Sequence, residues 1–386
     1  YARNPRRTRT TTDARSGNSL IHYNFGAVTL VTSTANHQPM TGENSRSVLP
    51  ALSATVLVIV ALYFASDIFA PVAMSLFVIT ILWPLQKALE TAIPRLFALL
   101  LTLAATVVVL GTFGLLTAGA ITLVGRWLIA NISHFYALYG QTIAWFDGHG
   151  ILLADQISER FNVLSLVGFF QEVGRRINGL VGFSLMVLIF TMLGLLEVGD
   201  FKQKIRTLRG DQTGDRLLAA TAIISQKFRK YILVRTGASV VTGLAMWGFA
   251  LALNIELATA WGIIGFALNY IPFIGSLIAT VLPTLFAAAQ FASWQMALLV
   301  FLGLNAIQFV IGSYLEPRFS GNALAISPFV VVVSVFFWAF LWGIPGAFIG
   351  VPIMIAILTI CEMNESSRWI ATLLSGPPNK DSQDQP

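Results

Sequence analysis

Residues 261–275 read WGIIGFALNYIPFIG, and this stretch decides how the C-terminal half of the chain folds. It lies inside an apolar block, Leu257–Gln290, that two prolines interrupt, Pro272 and Pro283. As one helix the block would be about 51 Å long, which is too long for a hydrocarbon core of about 30 Å. Two full spans need roughly 40 residues, so the block is also too short for two. We predict a broken helix or a re-entrant hairpin that turns around Asn269–Gly275.

A second apolar block, Ala323–Ile360, has the same awkward length. Its centre carries Ile344-Pro345 and then Gly346, much as Ile271-Pro272 precedes Gly275 in the first block. Irregular backbone at membrane depth is tolerated only where protein or a water-filled cavity covers it, and transporters bind solutes at such paired interruptions. We therefore predict two discontinuous helical segments with a solute path between them. The alternative is a pair of kinks that only assists packing.

The composition places the chain in the membrane. Hydrophobic residues make up 56% and charged residues 11%, whereas a soluble domain carries about 25% charged residues. We predict an all-α membrane protein with about eight transmembrane segments, two of them the interrupted blocks. The six ordinary spans are predicted at Val48–Phe64, Ile68–Leu85, Leu96–Val124, Ile177–Val198, Thr236–Leu253 and Trp294–Gly312.

Polar segments divide the chain into regions. Residues 1–46 are rich in Thr, Ser, Asn and Arg and are predicted to form a disordered, basic cytoplasmic arm. Residues 47–363 are predicted to form the transmembrane domain, followed by a polar cytoplasmic tail at 364–386. Within the domain, residues 126–176 have apolar positions at helical spacing and are interpreted as outward-facing amphipathic helices at the membrane surface. Residues 200–235 carry nine Lys or Arg against three Asp, which indicates a cytoplasmic loop and, with it, cytoplasmic termini.

One predicted helix carries a polar stripe. Asn305, Gln308, Gly312 and Glu316 share one face of a regular helix, and side-chain amides suit a polyol or a hydrated small solute. Alternatively, the amides join neighbouring helices, a contact of about 1 kcal/mol. Trp338 and Trp342 also share a face, either to stack on a ring or to anchor at the interface. The candidate path residues are Asn269, Tyr270, Pro272, Gly275, Asn305, Gln308, Glu316, Trp342, Pro345 and Gly346.

The sequence excludes several function classes. It has no HExxH motif and no Walker A motif, and its four histidines lie outside the predicted spans. The single cysteine, Cys361, cannot form an intrachain disulfide or a cysteine-based metal site. We expect no enzyme activity, no cofactor, no metal and no nucleic acid, since the basic residues lie beside hydrophobic spans. The expected partners are a small polar solute and the lipid bilayer.

Three ordered motifs resemble the AI-2E (autoinducer-2 exporter) family, the PerM-like permeases. They are the 261–275 stretch, residues 314–321 (YLEPRFSG), and residues 342–352 (WGIPGAFIGVP) after Ser327-Pro328. The resemblance implies a bacterial inner-membrane transporter that forms a homo-oligomer, a pentamer in this family. One branch exports autoinducer-2, a small furanone-derived polyol, and another resembles sodium(lithium)/proton antiporters. The motifs do not separate these branches.

Three hypotheses follow for function. The first is passive or ion-coupled export of an autoinducer-2-like solute. The second, ion antiport, requires a carboxylate near the membrane midplane, whereas the carboxylates here are predicted at span ends, with Glu316 beside Arg318. The third is a non-transporting membrane scaffold whose broken helices are structural.

Overall fold

The structure is a computed structural model that describes residues 20–25, 28–33, 43–149, 164–207, 212–320 and 326–376. The chain divides into two compact units, with the boundary between Ala61 and Leu62. In the first unit, strands β1 (Leu20–Phe25) and β2 (Val28–Ser33) pair antiparallel. The sequence interpretation predicted no regular structure there, but the β-branched valines and threonines of β2 favour a strand. Helix α1 (Glu43–Phe64) also begins before the predicted boundary at residue 47.

The second unit is built from helices. They are α2 (Ser66–Glu90), α3 (Arg95–Ala130), α4 (Ile132–Gly148), α5 (Leu164–Thr207), α6 (Gln212–Ala252), α7 (Ala258–Leu268), α8 (Ile274–Phe291), α9 (Trp294–Val310), α10 (Glu316–Ser320), α11 (Pro328–Met363) and α12 (Arg368–Leu374). Seven helices in the described ranges are long and apolar enough to cross a membrane. The predicted all-α membrane class is therefore confirmed.

The first interrupted block forms a helical hairpin of α7 and α8, as predicted. The ring of Trp261 on α7 contacts Phe286 on α8 with centroids 5.2 Å apart. At the open end, Gln290 accepts a hydrogen bond from the backbone of Glu256 and donates one to Asn254, both at 2.9 Å. These contacts tie the start of α7 to the end of α8, so the two helices run antiparallel.

The second interrupted block is also a hairpin, folded within α11. Gly343 has φ 66° and ψ −140°, a conformation that breaks the helix and that glycine adopts without strain. The two halves then pack on each other, because the Ser334 hydroxyl donates to the carbonyl of Gly350 at 2.6 Å. A Cβ on Gly346 would lie 1.9 Å from the Trp338 carbonyl oxygen, so only glycine permits this approach. The prediction of two broken segments is confirmed.

Several predicted loops are helical in the structure. The 200–235 segment is occupied by the end of α5 and the start of α6, although residues 208–211 lie outside the described ranges. The 126–176 region contains the end of α3, all of α4 and the start of α5, which continues into the fourth span instead of forming a separate helix. Its predicted stripe at Ile157 and Phe161 lies outside the described residues. Polar helix ends that project from a membrane span read as loops when only hydropathy is considered.

The C-terminal polar regions are helical as well. Residues 313–320, predicted as part of a loop, belong to a π-helical turn (Ile311–Leu315) and to α10. The predicted tail contains α12, and Ile326 pairs with Ser375 in an isolated β-bridge.

Candidate functional site

The turn between α7 and α8 is tight and strained. Phe273 has φ 62° and ψ −56°, and Ile274 donates its N–H to the Pro272 carbonyl at 2.7 Å, which together define a γ-turn. This form is rare because a side chain at positive φ is unfavourable, and such strain is concentrated at functional sites. A Cβ on Gly275 would lie 1.8 Å from the Leu268 carbonyl oxygen, so the glycine lets α8 return directly along α7.

Most backbone N–H groups of this turn already have hydrogen-bond partners. The N–H groups of Asn269, Ile271, Ile274 and Gly275 all donate to carbonyls within the hairpin. The hypothesis of a proline-broken binding site requires free backbone donors, and these four N–H groups are not free to bind a solute. The polar capacity of the junction lies in side chains instead.

Two side chains of the turn fasten it to α6. Asn269, 6% exposed, donates from Nδ2 to the Ser239 hydroxyl at 3.2 Å. The Tyr270 hydroxyl donates to the Thr236 hydroxyl at 3.0 Å. These bonds satisfy polar groups in an otherwise apolar interior, where an unpaired group costs about 1–3 kcal/mol.

Tyr270 also joins the two hairpins. Its ring stacks on Phe348 of α11 with centroids 5.6 Å apart and planes at 25°. On the other side, Phe113 and Phe266 meet the Tyr270 ring edge-on at 5.8 and 5.6 Å. Tyr270 is therefore an aromatic contact between the two interrupted blocks, and Ile271 and Ile274 pack in the same apolar cluster as Phe348.

An ion pair with a buried arginine lies beside this junction. Arg235 of α6 donates from Nη1 to Glu316 Oε1 at 2.5 Å, and the two side chains are 7% and 30% exposed. The predicted partner of Glu316 was Arg318, which is exposed and on the same short helix. Arg235 also lies within Coulombic range of the Tyr231 and Tyr270 hydroxyls. Arg235 is thus a buried positive charge next to the α7–α8 turn, although the sequence interpretation placed it at the end of a cytoplasmic loop.

The π-helical turn decides which residues of α9 share a face with Glu316. A π turn holds one more residue than an α turn and rotates the residues after it by about 100°. Glu316 consequently aligns with Gln308, whose Nε2 is buried, and not with Asn305. Asn305 is exposed and donates to the carbonyl of Phe301 on its own helix at 2.7 Å. The structure therefore does not bring Asn305 to the junction.

Several buried polar atoms of α6 and α9 have no hydrogen-bond partner within the described residues. Within the described ranges, seven buried side-chain nitrogen or oxygen atoms make no hydrogen bond, and four of them belong to α6 or α9. These four are Tyr231 Oη, Arg235 Nε, Thr242 Oγ1 and Gln308 Nε2. In a closed apolar interior each costs about 1–3 kcal/mol.

Helix α6 meets the segment from α9 to α10 at two places. Phe249 lies against Gly303 at one end of the α6–α9 contact, and Arg235 lies against Glu316 at the other, so the helices run antiparallel. Thr242 is midway between Phe249 and Arg235, and a helical repeat of 3.6 residues places all three on one face of α6. Gln308 is five residues after Gly303 and so lies about 140° around α9 from it.

The remaining predicted residues have packing roles. Trp342 lies beside the α11 turn and donates from Nε1 to the Leu62 carbonyl at 3.0 Å, and its ring lies 4.7 Å from that of Trp338. Pro345 is half-buried and Gly346 is buried where the two halves of α11 meet. Pro272 is buried at the first turn.

Sequence reasoning missed the polar residues of α6. Thr236 and Ser239 hold the α7–α8 turn, Arg235 pairs with Glu316, and Tyr231 and Thr242 are buried. A signal was present, because these residues recur at helical spacing inside or beside the predicted Thr236–Leu253 span. This spacing was not used, because the positive charge of residues 200–235 led us to interpret that segment as a loop.

An open apolar groove lies on another side of α6. Its volume is about 290 Å³, and its lining includes Phe113, Leu244, Trp247, Gly262 and Phe266. The floor is a close crossing of α6 and α7, where a Cβ on Gly262 would lie 3.0 Å from the Gly243 carbonyl oxygen. Such a surface suits hydrocarbon and not a polar solute.

Comparison with known proteins gives a consistent picture. The model of the AI-2E family transporters matches residues 52–364. The AI-2 transport protein TqsA of Escherichia coli K12 is 28% identical over 342 residues, which cover 88% of this chain and 98% of TqsA. A putative transport protein of Haemophilus influenzae is 26% identical over 341 residues, covering 86% and 97%. The putative transport protein YhhT of Escherichia coli K12 is 22% identical over 344 residues, covering 88% and 94%.

Proposed function

This chain belongs to the AI-2E family of transporters, and from that premise we propose that it exports a small polar solute resembling autoinducer-2 across a bacterial inner membrane. As a family member with many apolar helices, it is a multi-pass membrane transport protein and not an enzyme. The direction of flux and the cargo are parts of the proposal. So are the inner membrane as location, cytoplasmic termini, a homo-oligomer such as a pentamer, and passive or ion-coupled driving.

The observation that carries the proposal is the junction of the two hairpins at Tyr270. There, an aromatic stack between Tyr270 and Phe348 lies beside the ion pair of the buried Arg235 with the partly exposed Glu316. Buried ionisable residues in membrane segments are costly and mark solute or ion paths. Broken helices that meet at such a point are the usual site of binding in transporters.

The alternative of sodium(lithium)/proton antiport receives less support from the same geometry. An antiporter needs a carboxylate that binds the cation and the proton in turn. Glu316 is held by the guanidinium of Arg235, which stays protonated and occupies the place that a sodium ion would take. The fixed positive charge also repels an entering cation.

One experiment separates export, antiport and the third hypothesis, a non-transporting scaffold. A deletion strain is measured for extracellular autoinducer-2 and for growth in high sodium. Reduced extracellular autoinducer-2 with unchanged sodium tolerance supports export. Lost sodium tolerance alone supports antiport, and no change in either supports the scaffold.

Purified protein in liposomes then tests transport directly. Counterflow of labelled autoinducer-2 is expected with the unaltered chain and is expected to fall with Tyr270→Ala. Leu298→Ala, a change of an exposed apolar residue on α9, serves as the matched control. Counterflow that is absent from the unaltered chain, or equal in both variants, would remove the hairpin junction from the path.

A further inference from the structure

Helices α6 and α11 change from apolar to charged at the same level. The Lys227 ammonium of α6 donates to Glu362 Oε2 at 3.0 Å and to the Thr359 hydroxyl at 3.1 Å, near the end of α11. Exposed apolar side chains begin just inside this contact, at Leu233 of α6, which is 74% exposed, and at Ile360 of α11. Because exposed apolar side chains on membrane-spanning helices face hydrocarbon, the contact marks where both helices cross a membrane surface.

Basic side chains collect at this level. Lys230 is three residues after Lys227 and therefore lies beside it on α6. Arg229 is exposed, and its Nε donates to the carbonyl one turn earlier at 3.2 Å, so the guanidinium lies back along α6 and away from the span. Arg368 of α12 donates from Nε to the Glu362 carbonyl at 3.4 Å, at the same residue that Lys227 contacts. We call Lys227, Arg229, Lys230 and Arg368 the basic patch.

Helix α12 adds an apolar face beside the basic patch. Trp369 and Leu373 are one turn apart and are 65% and 71% exposed, whereas Ala371, on the opposite side of the helix, is buried. Only residues 364–367 separate α12 from the end of α11, so α12 lies close to the membrane surface. Exposed tryptophan next to basic side chains is typical of the headgroup region of a bilayer, where the indole ring contacts both hydrocarbon and polar groups.

We propose that the basic patch and the exposed face of α12 bind an anionic phospholipid. The lipid phosphate accepts hydrogen bonds from the ammonium and guanidinium groups of the patch, and the acyl chains lie along the apolar surface that begins at Leu233. Charge complementarity favours this occupant over a zwitterionic lipid. Within residues 225–233 and 359–374, four basic side chains stand against two carboxylates, Glu362 and Glu365. The inference concerns a lipid and does not depend on which solute the chain carries.

Quenching of Trp369 fluorescence measures which lipid lies at the basic patch. The full chain is reconstituted in vesicles of phosphatidylglycerol and phosphatidylcholine at one fixed ratio, with either the anionic or the zwitterionic lipid brominated on its acyl chains. Bromine quenches tryptophan only at close range. Because the chain has nine tryptophans, the Trp369 signal is taken as the difference between the unaltered chain and Trp369→Phe.

After correction for the lipid ratio, the anionic lipid is expected to be about fivefold enriched at Trp369, as one basic residue near a membrane surface gives. Lys230→Gln combined with Arg368→Gln is expected to bring the enrichment close to one. Arg126→Gln, which neutralises an exposed arginine at the end of α3, is the matched control and is expected to retain it. Equal quenching by the two lipids in the unaltered chain, an unchanged enrichment in the double variant, or an equal fall in the control overturns the proposal. Quenching by neither lipid means that protein covers the patch, and this outcome overturns it too.

Two further measurements separate the charges of the patch from its fold. Lys230→Arg combined with Arg368→Lys keeps both charges and is expected to retain the enrichment. In the unaltered chain, about 1 M sodium chloride shortens the Debye length to about 3 Å and is expected to bring the enrichment towards one. This second measurement needs no variant, so it remains informative where the glutamine variants fail to fold. An enrichment that salt leaves unchanged overturns the proposal.

Discussion

Arg235 and Glu316 are 81 residues apart in the sequence, and their side chains meet at 2.5 Å where α6 contacts the start of α10. Each residue belongs to a segment that hydropathy assigns to an aqueous loop. The π-helical turn at Ile311–Leu315 and the long α6 bring them into the interior. The pair therefore links the α6 polar residues to the helix that carries Gln308.

Glu316→Gln is expected to destabilise the protein by about 3 kcal/mol, because it leaves the guanidinium of Arg235 buried without a counter-charge. Arg235→Met costs less, since the carboxylate of Glu316 is 30% exposed and regains solvent. The double variant is expected to lose less than the sum of the two single losses. Thermal unfolding of detergent-solubilised protein measures all three, and additive losses would contradict the pairing.

Gly275→Ala and Gly346→Ala are each expected to cost about 1–3 kcal/mol or more, because the added Cβ meets a carbonyl oxygen across the hairpin. The predicted separations of 1.8 and 1.9 Å leave no room without backbone movement. The control is Gly248→Ala, where nothing lies within 4 Å, and a gain of about 0.5–1 kcal/mol is expected. Equal behaviour of the three variants would mean that the hairpins are not closely packed.

Tyr270→Phe keeps the stack on Phe348 and loses the hydrogen bond to Thr236, so a loss of about 1 kcal/mol is expected. Tyr270→Ala removes both contacts and is expected to cost about 3 kcal/mol, at the lower end for an aromatic truncation because Tyr270 is half-buried. Counterflow is expected to fall little in the first variant and strongly in the second. If both lose counterflow equally, the hydroxyl and not the ring is what matters at the junction.

Deletion of Ser313 is expected to convert the π-helical turn into regular α-helix and to rotate Glu316 by about 100°, away from Arg235. In that background Glu316→Gln no longer costs stability, whereas it does in the unaltered chain. Ser313→Ala is the control, because Ser313 is exposed and its substitution is expected to change stability by less than about 0.5 kcal/mol. A persistent cost of Glu316→Gln in the deletion would show that the turn does not set the pairing.

Much of the fold followed from hydropathy and from two block lengths. The interrupted blocks at 257–290 and 323–360 are too long for one span and too short for two, and both are hairpins in the structure. The extent of the helices beyond the membrane did not follow, because charged helix ends and loops have the same composition. Helix α5, for example, continues through 44 residues, from a predicted surface segment through a span to a predicted loop.

The site was predictable only in part. The α7–α8 turn was identified, and Tyr270 does meet the second hairpin at Phe348. The polar stripe on α9 was predicted for a regular helix. Because of one π turn, Glu316 shares a face with Gln308 and not with Asn305. A π turn depends on how neighbouring helices pack, so spacing along the chain cannot reveal it.

The sequence by itself determined that the chain is apolar, helical and twice broken, because these properties depend on local composition and on the fixed rise of a helix. Only the tertiary structure decided that Arg235 is buried and that Glu316 is its partner. Local periodicity does not determine which face of a helix is buried or which distant residue it contacts. Long-range packing determines both. An ion pair between distant residues exists only once the helices that carry them have packed.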